Sequence, residues 1–347
     1  VSDSSTLLAE YLHDSGYTTA GFIDIWYLRE QFGFAQGFDT YEVVGVDGDS
    51  INNLAMAWLD ENGYEPGNDG DPLFLYLYYY DPHSWYDPPP PYDTLFDPDY
   101  TGSLTPESLG HLEDVVSGEL VLSARDFEYL IALYDGDIAN SDHLLGLMLD
   151  DLERRGLLEN SVIFLSSDHG EMFGEHDKWV HHNSLYEEVL RVPLLFRYSG
   201  VLPEAVVFDE PVDHLDVTPT ILDLAQIPVP SHMRGRSLVP LMTGAQPSLP
   251  ERPIYAQMAG VIGPDGAPDW IAPPANMYSV KEGGDKLIHT ERMPEDDRLY
   301  YEENASVYEQ ENIIGQEPEK AEALWQKLQG QFTIPTEFLF MPVVERP

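Results

Sequence analysis

Residues 166–198 read SSDHGEMFGEHDKWVHHNSLYEEVLRVPLLFRY, and the apolar run Val162-Ile163-Phe164-Leu165 leads into them. A short apolar run of this kind suits a buried parallel strand. The next residues are chemically different: Asp168, His169, Glu171, Glu175, His176, Asp177, His181 and His182 crowd positions 168 to 182. In open α/β sheets ligands bind beyond the carboxyl ends of the strands. An Asp-His pair at such an end suits a divalent cation, the carboxylate giving charge and the imidazole a neutral nitrogen. Simple solvation of a polar loop is the competing explanation, and the pair alone does not separate the two.

Outward from that stretch, the pattern alternates between helix and strand. Thr6 to Asp14 carries Leu7, Leu8, Tyr11 and Leu12 on one helical face, with Gly16 beyond its end. Thr18 to Ile23 and Leu73 to Tyr80 read as strands, the second as a central one, and Ile51 to Asn62 as a helix. Asn68 to Pro72 is a turn by composition. Pro88 opens an irregular stretch to about Ser117, either a surface excursion or a source of substrate contacts; its lack of basic residues favours the first. Ala124 to Arg155 keeps helical spacing, with Gly136 as an expected bend. Ser184 to Arg191 and Asp216 to Ala225 read as helices, and Val192 to Arg197 as a strand. After Pro250 come three short strand-like runs, at Ile254, Met277 and Lys286, then a helix from Pro318 to Gln329.

Composition narrows the partners. The 347 residues carry 17 Lys plus Arg against 62 Asp plus Glu, a formal net charge of -45. Nucleic acid and anionic membranes both need a basic face, so neither is an expected partner. The acid is spread along the chain, so a disordered acidic tail does not explain it; adaptation to saline surroundings, where screening shortens the reach of self-repulsion, is one explanation and an ordinary acidic surface the other. There is no cysteine, so disulfides play no part. No basic and apolar leader opens the chain, and no apolar run approaches the ~20 residues of a membrane span.

The ordered set of motifs resembles the sulfatase family of the alkaline-phosphatase superfamily. The resemblance rests on Ser167-Asp168-His169-Gly170-Glu171, Gly174-Glu175-His176, Trp179, Leu185-Tyr186-Glu187-Glu188 and Arg191-Val192-Pro193-Leu194. Upstream it includes Gly16-Tyr17-Thr18-Thr19-Ala20, Gln36-Gly37-Phe38-Asp39 and Asp81-Pro82-His83; downstream, Asp216 to Leu224 and Gly235-Arg236-Ser237-Leu238. It implies an α/β fold, an alkaline-phosphatase-like sandwich whose large, mostly parallel central sheet is flanked by helices. A small C-terminal antiparallel subdomain would be appended. The expected division is a core over residues 1–250 and a C-terminal subdomain over 251–347.

The resemblance also implies roles. Asp168 and His169 match one pair of metal ligands, for Ca²⁺ foremost, with Mn²⁺ or Mg²⁺ as alternatives. Many sulfatases have Asn at the second position, and His is similar to other members, including phosphonate monoester hydrolases. His83 matches the histidine that contacts the sulfate group, with Trp85 standing where the family often has Pro. His181 aligns with a substrate-binding cation; His182 and Lys178 are the alternatives, and a nearby acid such as Glu175 would hold the charge of the imidazole. All four expected site residues, His83, His181, Asp168 and His169, would then converge on one sulfate group.

Two departures shape the functional expectation. Where many sulfatases carry Gly-Lys-Trp-His, this chain has Gly21-Phe22-Ile23-Asp24-Ile25-Trp26, without the two cationic groups. The family nucleophile, a formylglycine made from Cys or Ser in a Cys/Ser-x-Pro/Ala-x-Arg motif, precedes the segment matched by Thr6, and the chain is expected to lack such a motif altogether. The expectation is therefore a sulfate ester hydrolase whose nucleophile, first ligand pair and first core strand lie upstream of residue 1, inactive as it stands. A phosphodiester or phosphonate monoester hydrolase is the alternative, and a non-catalytic fragment the third. The expected substrate is a small-molecule or saccharide sulfate ester. The resemblance favours a periplasmic or extracellular location.

Overall fold

The computed structural model describes all residues except 3, 46–47, 67–70, 84, 106–114, 116–119, 182–183, 260–274, 292, 294–295, 302–308 and 335–347. In chain order its regular elements begin with α1 (Leu8–Asp14), β1 (Thr18–Ile23), β2 (Thr40–Val43), α2 (Gly48–Glu61), β3 (Leu73–Tyr78) and α3 (Ala124–Arg154). There follow β4 (Val162–Ser166), β5 (Met172–Phe173), β6 (Trp179–Val180), α4 (Glu187–Leu190), β7 (Leu194–Tyr198), α5 (Val217–Leu224) and α6 (Val239–Met242). The last are β8 (Ile254–Met258), β9 (Met277–Glu282), β10 (Asp285–Thr290), β11 (Arg298–Tyr301) and α7 (Pro318–Gln331). None of the described helices is long and apolar enough to cross a membrane.

The chain forms two compact units. One comprises residues 1–162, 197–201 and 218–233; the other comprises 163–196, 202–217 and 234–347.

The first unit is built on a parallel sheet of order β2-β1-β3. The expected central strand, β3, lies to one side, and β1 takes the middle, where Ala20, Phe22 and Ile23 are buried. Thr19 joins two motifs separated in sequence. Its hydroxyl donates to the Gly37 carbonyl at 2.7 Å, and its amide donates to the Asp39 carboxylate at 2.9 Å. Gly37, at φ +82°, has no room for a side chain, because a Cβ would meet the Glu10 nitrogen at 2.2 Å. Helix α1 starts where Glu10 reaches back to accept from the Leu7 amide at 2.6 Å. Helix α3 starts with a reciprocal cap: the Asp126 amide donates to Ser123 Oγ, and the Ser123 amide donates to Asp126 Oδ2. It then runs unbroken through Gly136, so the expected bend is absent.

The second unit contains β4 paired with β7, the small hairpin β5-β6, and an antiparallel sheet of order β11-β10-β9-β8. Strand β4 is half-buried rather than buried. The sheet β8–β11 packs Val280, Leu287 and Leu299 against Leu324, Trp325 and Leu328 of α7, a continuous core. Leu185, Met277, Ile288 and Tyr300 form another, which ties the segment before α4 to that sheet. Gly235 lies so close to residues 215–216 that a Cβ would meet the Leu215 carbonyl oxygen at 1.7 Å. Asp216, fully buried, accepts from the Arg236 amide at 2.8 Å and pairs with Arg252 at 2.7 Å.

Candidate active site

Strand β4 ends at Ser166, and Asp168 and His169 emerge directly beyond it. The His169 amide donates to Asp168 Oδ1 at 3.0 Å, which holds the carboxylate over its neighbour. His169 Nδ1 lies 2.9 Å from the Gly170 carbonyl oxygen. A carbonyl only accepts, so Nδ1 carries the proton and the lone pair is on Nε2. That nitrogen lies 3.8 Å from Asp168 Oδ1. A carboxylate oxygen and an imidazole lone pair at this spacing, with the tautomer fixed by a backbone carbonyl, fit two ligands of one divalent cation.

His181 comes directly after the hairpin β5-β6 and lies against the same group. Its ring stacks on that of His169, with centroids 3.8 Å apart. Its Nδ1 faces Glu171 Oε1 at 3.2 Å, and that carboxylate is almost wholly buried. The acid beside His181 is therefore Glu171. Glu175, the expected partner, instead accepts from the Phe173 amide at 2.6 Å. Signal for Glu171 was present in the sequence, since an acid at the start of a two-stranded hairpin faces the residue beyond the return strand. Lys178 is largely buried, and burial lowers its pKa while Asp296 acts in the opposite sense. His182, the other alternative, lies outside the described residues.

The loop is held from behind by α4 and the antiparallel sheet. The Gly170 amide donates to the Val189 carbonyl at 2.8 Å. His176 stacks on Tyr186 at 3.7 Å and faces Glu188 at 3.3 Å. Glu187 pairs with Lys281 at 2.9 Å and with Lys286 at 2.8 Å, and Lys286 also meets Glu309 at 2.8 Å. Lys286 is only 1% exposed. Burial raises Glu309 to about 6 against the opposing pull of Lys286.

His83 belongs to the first unit, where it lies beyond the end of β3. Its amide donates to the Tyr80 carbonyl at 3.0 Å, and its ring packs on Tyr80 at 4.5 Å. The chain then lies along α3. Tyr86 meets Tyr134 edge-on at 5.3 Å, Tyr92 lies 6.0 Å from His143, and Ser141 donates to the Asp81 carbonyl at 3.4 Å. Trp85 is 65% exposed. Beyond β1, where the two cationic groups are missing, Trp26 and Tyr27 are exposed and lie 3.8 Å apart. The stretch after Pro88 folds back on the start of α3: Tyr100 stacks on Tyr129 at 3.8 Å and donates to Asp126 at 2.5 Å, and Asp97 pairs with Arg125.

The nucleophile pattern does occur once, far downstream of the place the resemblance assigns it. Ser248-Leu249-Pro250-Glu251-Arg252 fits Cys/Ser-x-Pro/Ala-x-Arg, which corrects the expectation that the chain lacks the pattern. Its Arg252 is committed to Asp213 at 3.0 Å and Asp216 at 2.7 Å, and its Pro250 carbonyl accepts from Arg236. Pro250 and Arg252 thus tie the segment before β8 to residues 213–216 and to Arg236.

Comparison with known proteins gives a consistent result. The family model Sulfatase matches residues 2–227, and the model N-sulphoglucosamine sulphohydrolase, C-terminal, matches residues 174–333. An arylsulfatase of Clostridium perfringens is 32% identical over 183 residues, covering 49% of this chain and 37% of that protein. The chain spans well under half the length of the curated relatives it matches. Among solved structures, BT4656 in complex with its substrate D-glucosamine-2-N,6-O-disulfate superposes with a TM-score of 0.70 at 20% identity, over 94% of this chain and 82% of that one. The phosphonate monoester hydrolase of Silicibacter pomeroyi gives 0.68 at 20% identity, over 95% and 80%. The fold is thus the alkaline-phosphatase-like α/β architecture, with a parallel sheet and a C-terminal antiparallel sheet.

Proposed function

The chain belongs to the sulfatase family, and from that premise we propose that it serves the hydrolysis of a sulfate ester, small-molecule or saccharide. The observation that carries this reading is the family match over residues 2–227, which contains His83, Asp168, His169 and His181 together. Asp168 and His169 hold a divalent cation, Ca²⁺ foremost. Such a cation, when bound, neutralises charge on the sulfate and the leaving oxygen. His181, oriented by Glu171, donates to a sulfate oxygen through Nε2. His83 supplies the second imidazole, contacting the sulfate group and delivering a proton to the leaving oxygen. The attacking group is a formylglycine from outside residues 1–347, since the single matching pentapeptide in the chain is engaged structurally.

A second reading has a specific observation behind it. His169 stands where many sulfatases have Asn, and a phosphonate monoester hydrolase is among the structural neighbours. Turnover of an activated aryl sulfate and of the matching aryl phosphonate separates the two. The assay uses the 347-residue chain and the same chain extended by its upstream coding sequence, with Ca²⁺ or Mn²⁺ added. Sulfate turnover by the extended protein, lost in Asp168→Ala, is the expected result. Preference for the phosphonate would select the second reading, and robust activity of the 347-residue chain alone would place the nucleophile within it.

A further inference from the structure

One buried acid in the first unit stands outside the four residues assigned to the sulfate group. Asp137 lies on α3 and is only 1% exposed, and its Oδ2 has no hydrogen-bond partner among the described residues. It shares a helical face with Tyr134 and Ser141, by i, i+3, i+7 spacing. All three residues reach the same segment of chain. Tyr134 packs on Tyr86, Ser141 donates to the Asp81 carbonyl, and Asp137 accepts from the Asp87 amide. Next to them, Gly136 lets the chain lie directly on the helix. A Cβ there would meet the Tyr92 carbonyl oxygen at 2.6 Å and Pro88 Cγ at 2.8 Å. The glycine read from sequence as a bend is a close-approach position in a straight helix.

We propose that Asp137 is a positioning residue for the loop that carries His83, holding that loop through the main-chain amide of Asp87. The inference rests on the reading of His83 as a sulfate contact. Burial, then the carboxylates of Asp81 and Asp87, raise the Asp137 carboxyl to about 8, against the pull of the Asp87 amide. The charged groups acting on it are those two acids, both on the loop itself. At neutral pH Asp137 therefore keeps its proton, and helix and loop meet without a third negative charge. As pH rises through about 8 the proton leaves, and three carboxylates then repel across the contact.

The linkage between this proton and folding has a definite sign. An unfolded Asp loses its proton near 4, and Asp137 in the folded chain keeps it to about 8. The folded state binds more protons between those values, so this group lowers stability as pH rises from about 4 to about 8, with no further change at higher pH. Asp137→Asn keeps an acceptor for the Asp87 amide and cannot ionise. Its melting temperature relative to wild type should climb between pH 5 and pH 8 and then level. Asp137→Ala removes the acceptor. Amide hydrogen exchange in peptides spanning residues 81–92 should rise in Asp137→Ala and stay near wild type in Asp137→Asn at pH 7. Turnover of an aryl sulfate by the active protein should fall in the Ala variant and be restored in the Asn variant. Unchanged exchange over 81–92 in Asp137→Ala, or a constant Asn-to-wild-type difference across pH, would overturn the proposal. Exchange that responds while turnover does not would leave Asp137 as the loop anchor and remove His83 from the sulfate site instead.

Discussion

The imidazole rings of His169 and His181 stack with centroids 3.8 Å apart and planes at 22°. Each has its Nδ1 directed at an acceptor, the Gly170 carbonyl for one and the Glu171 carboxylate for the other. The two rings are thus oriented by different parts of the loop and braced against each other. Removing one leaves the other without a wall.

His181→Ala should lower turnover of the active protein roughly 10²-fold, the lower end for a positioned acid or charge stabiliser. Its fold should survive, since the side chain lies at the loop and not in the two apolar clusters described for the second unit. The measurement is kcat/KM on an aryl sulfate beside a melting curve, with His182→Ala as the parallel variant. A silent His181→Ala and a damaged His182→Ala would move the assignment by one residue.

Gly170→Ala tests the loop from below. A Cβ there would meet the Glu188 carbonyl oxygen at 2.1 Å, and that atom is main chain with little freedom to shift. Overpacking of this kind costs about 1–3 kcal/mol. The strain falls beside Asp168 and His169, so Ca²⁺ affinity should drop more than the melting temperature suggests. Titration calorimetry with Ca²⁺ on the folded variant is the check, and unaltered affinity would show that the Gly170–Val189 contact does not orient the ligand pair.

Much of the fold was legible in the sequence because it rests on local pattern. The apolar runs at 18–23 and 73–78 and the helical spacing from 124 recur as β1, β3 and α3. The illegible part depended on partners distant in sequence. Gly136 looks the same in a bend and in a straight helix; only Pro88 and Tyr92, more than forty positions earlier, make it a close approach. Asp137 reads as one more acid in an acidic chain until its burial is known. Glu175 stands nearer His181 in sequence than Glu171 does, yet the left-handed backbone at Gly174, His176 and Asp177 turns the hairpin so that the more distant acid meets the imidazole. Strand β2, four residues long with an exposed Glu42, lacked any periodic signal.

Lys286→Met should be strongly destabilising. The ammonium group lies between Glu187 and Glu309 at 2.8 Å from each and is almost wholly buried. Breaking a buried pair from one side costs about 3–5 kcal/mol, because a charge is left uncompensated. The pH dependence has a definite sign. Burial already raises Glu309 to about 6, above its unfolded value of 4.5, so it contributes stability when protonated and loses it as pH rises. The deficit of Lys286→Met, measured by denaturant unfolding, should therefore narrow from pH 7 toward pH 5. A deficit that stays constant over that range would mean that Glu309 is not the stranded charge.

Ionic strength should act on the whole chain. Acidic residues outnumber basic ones 62 to 17, and the formal net charge of -45 is distributed from the first helix to the last. With so few cations to pair them, the mutual repulsion of these carboxylates opposes the compact state. Salt shortens its range, with a Debye length falling from about 10 Å at 0.1 M to about 3 Å at 1 M. The buried pairs, Lys286 with Glu187 and Glu309, and Arg252 with Asp216, are screened far less and should hold over the same range. The melting temperature should therefore rise from dilute buffer to molar NaCl and equally to molar KCl, which separates screening from binding of one ion. A melting temperature that stays flat or falls would remove saline adaptation as the reason for the acidic surface.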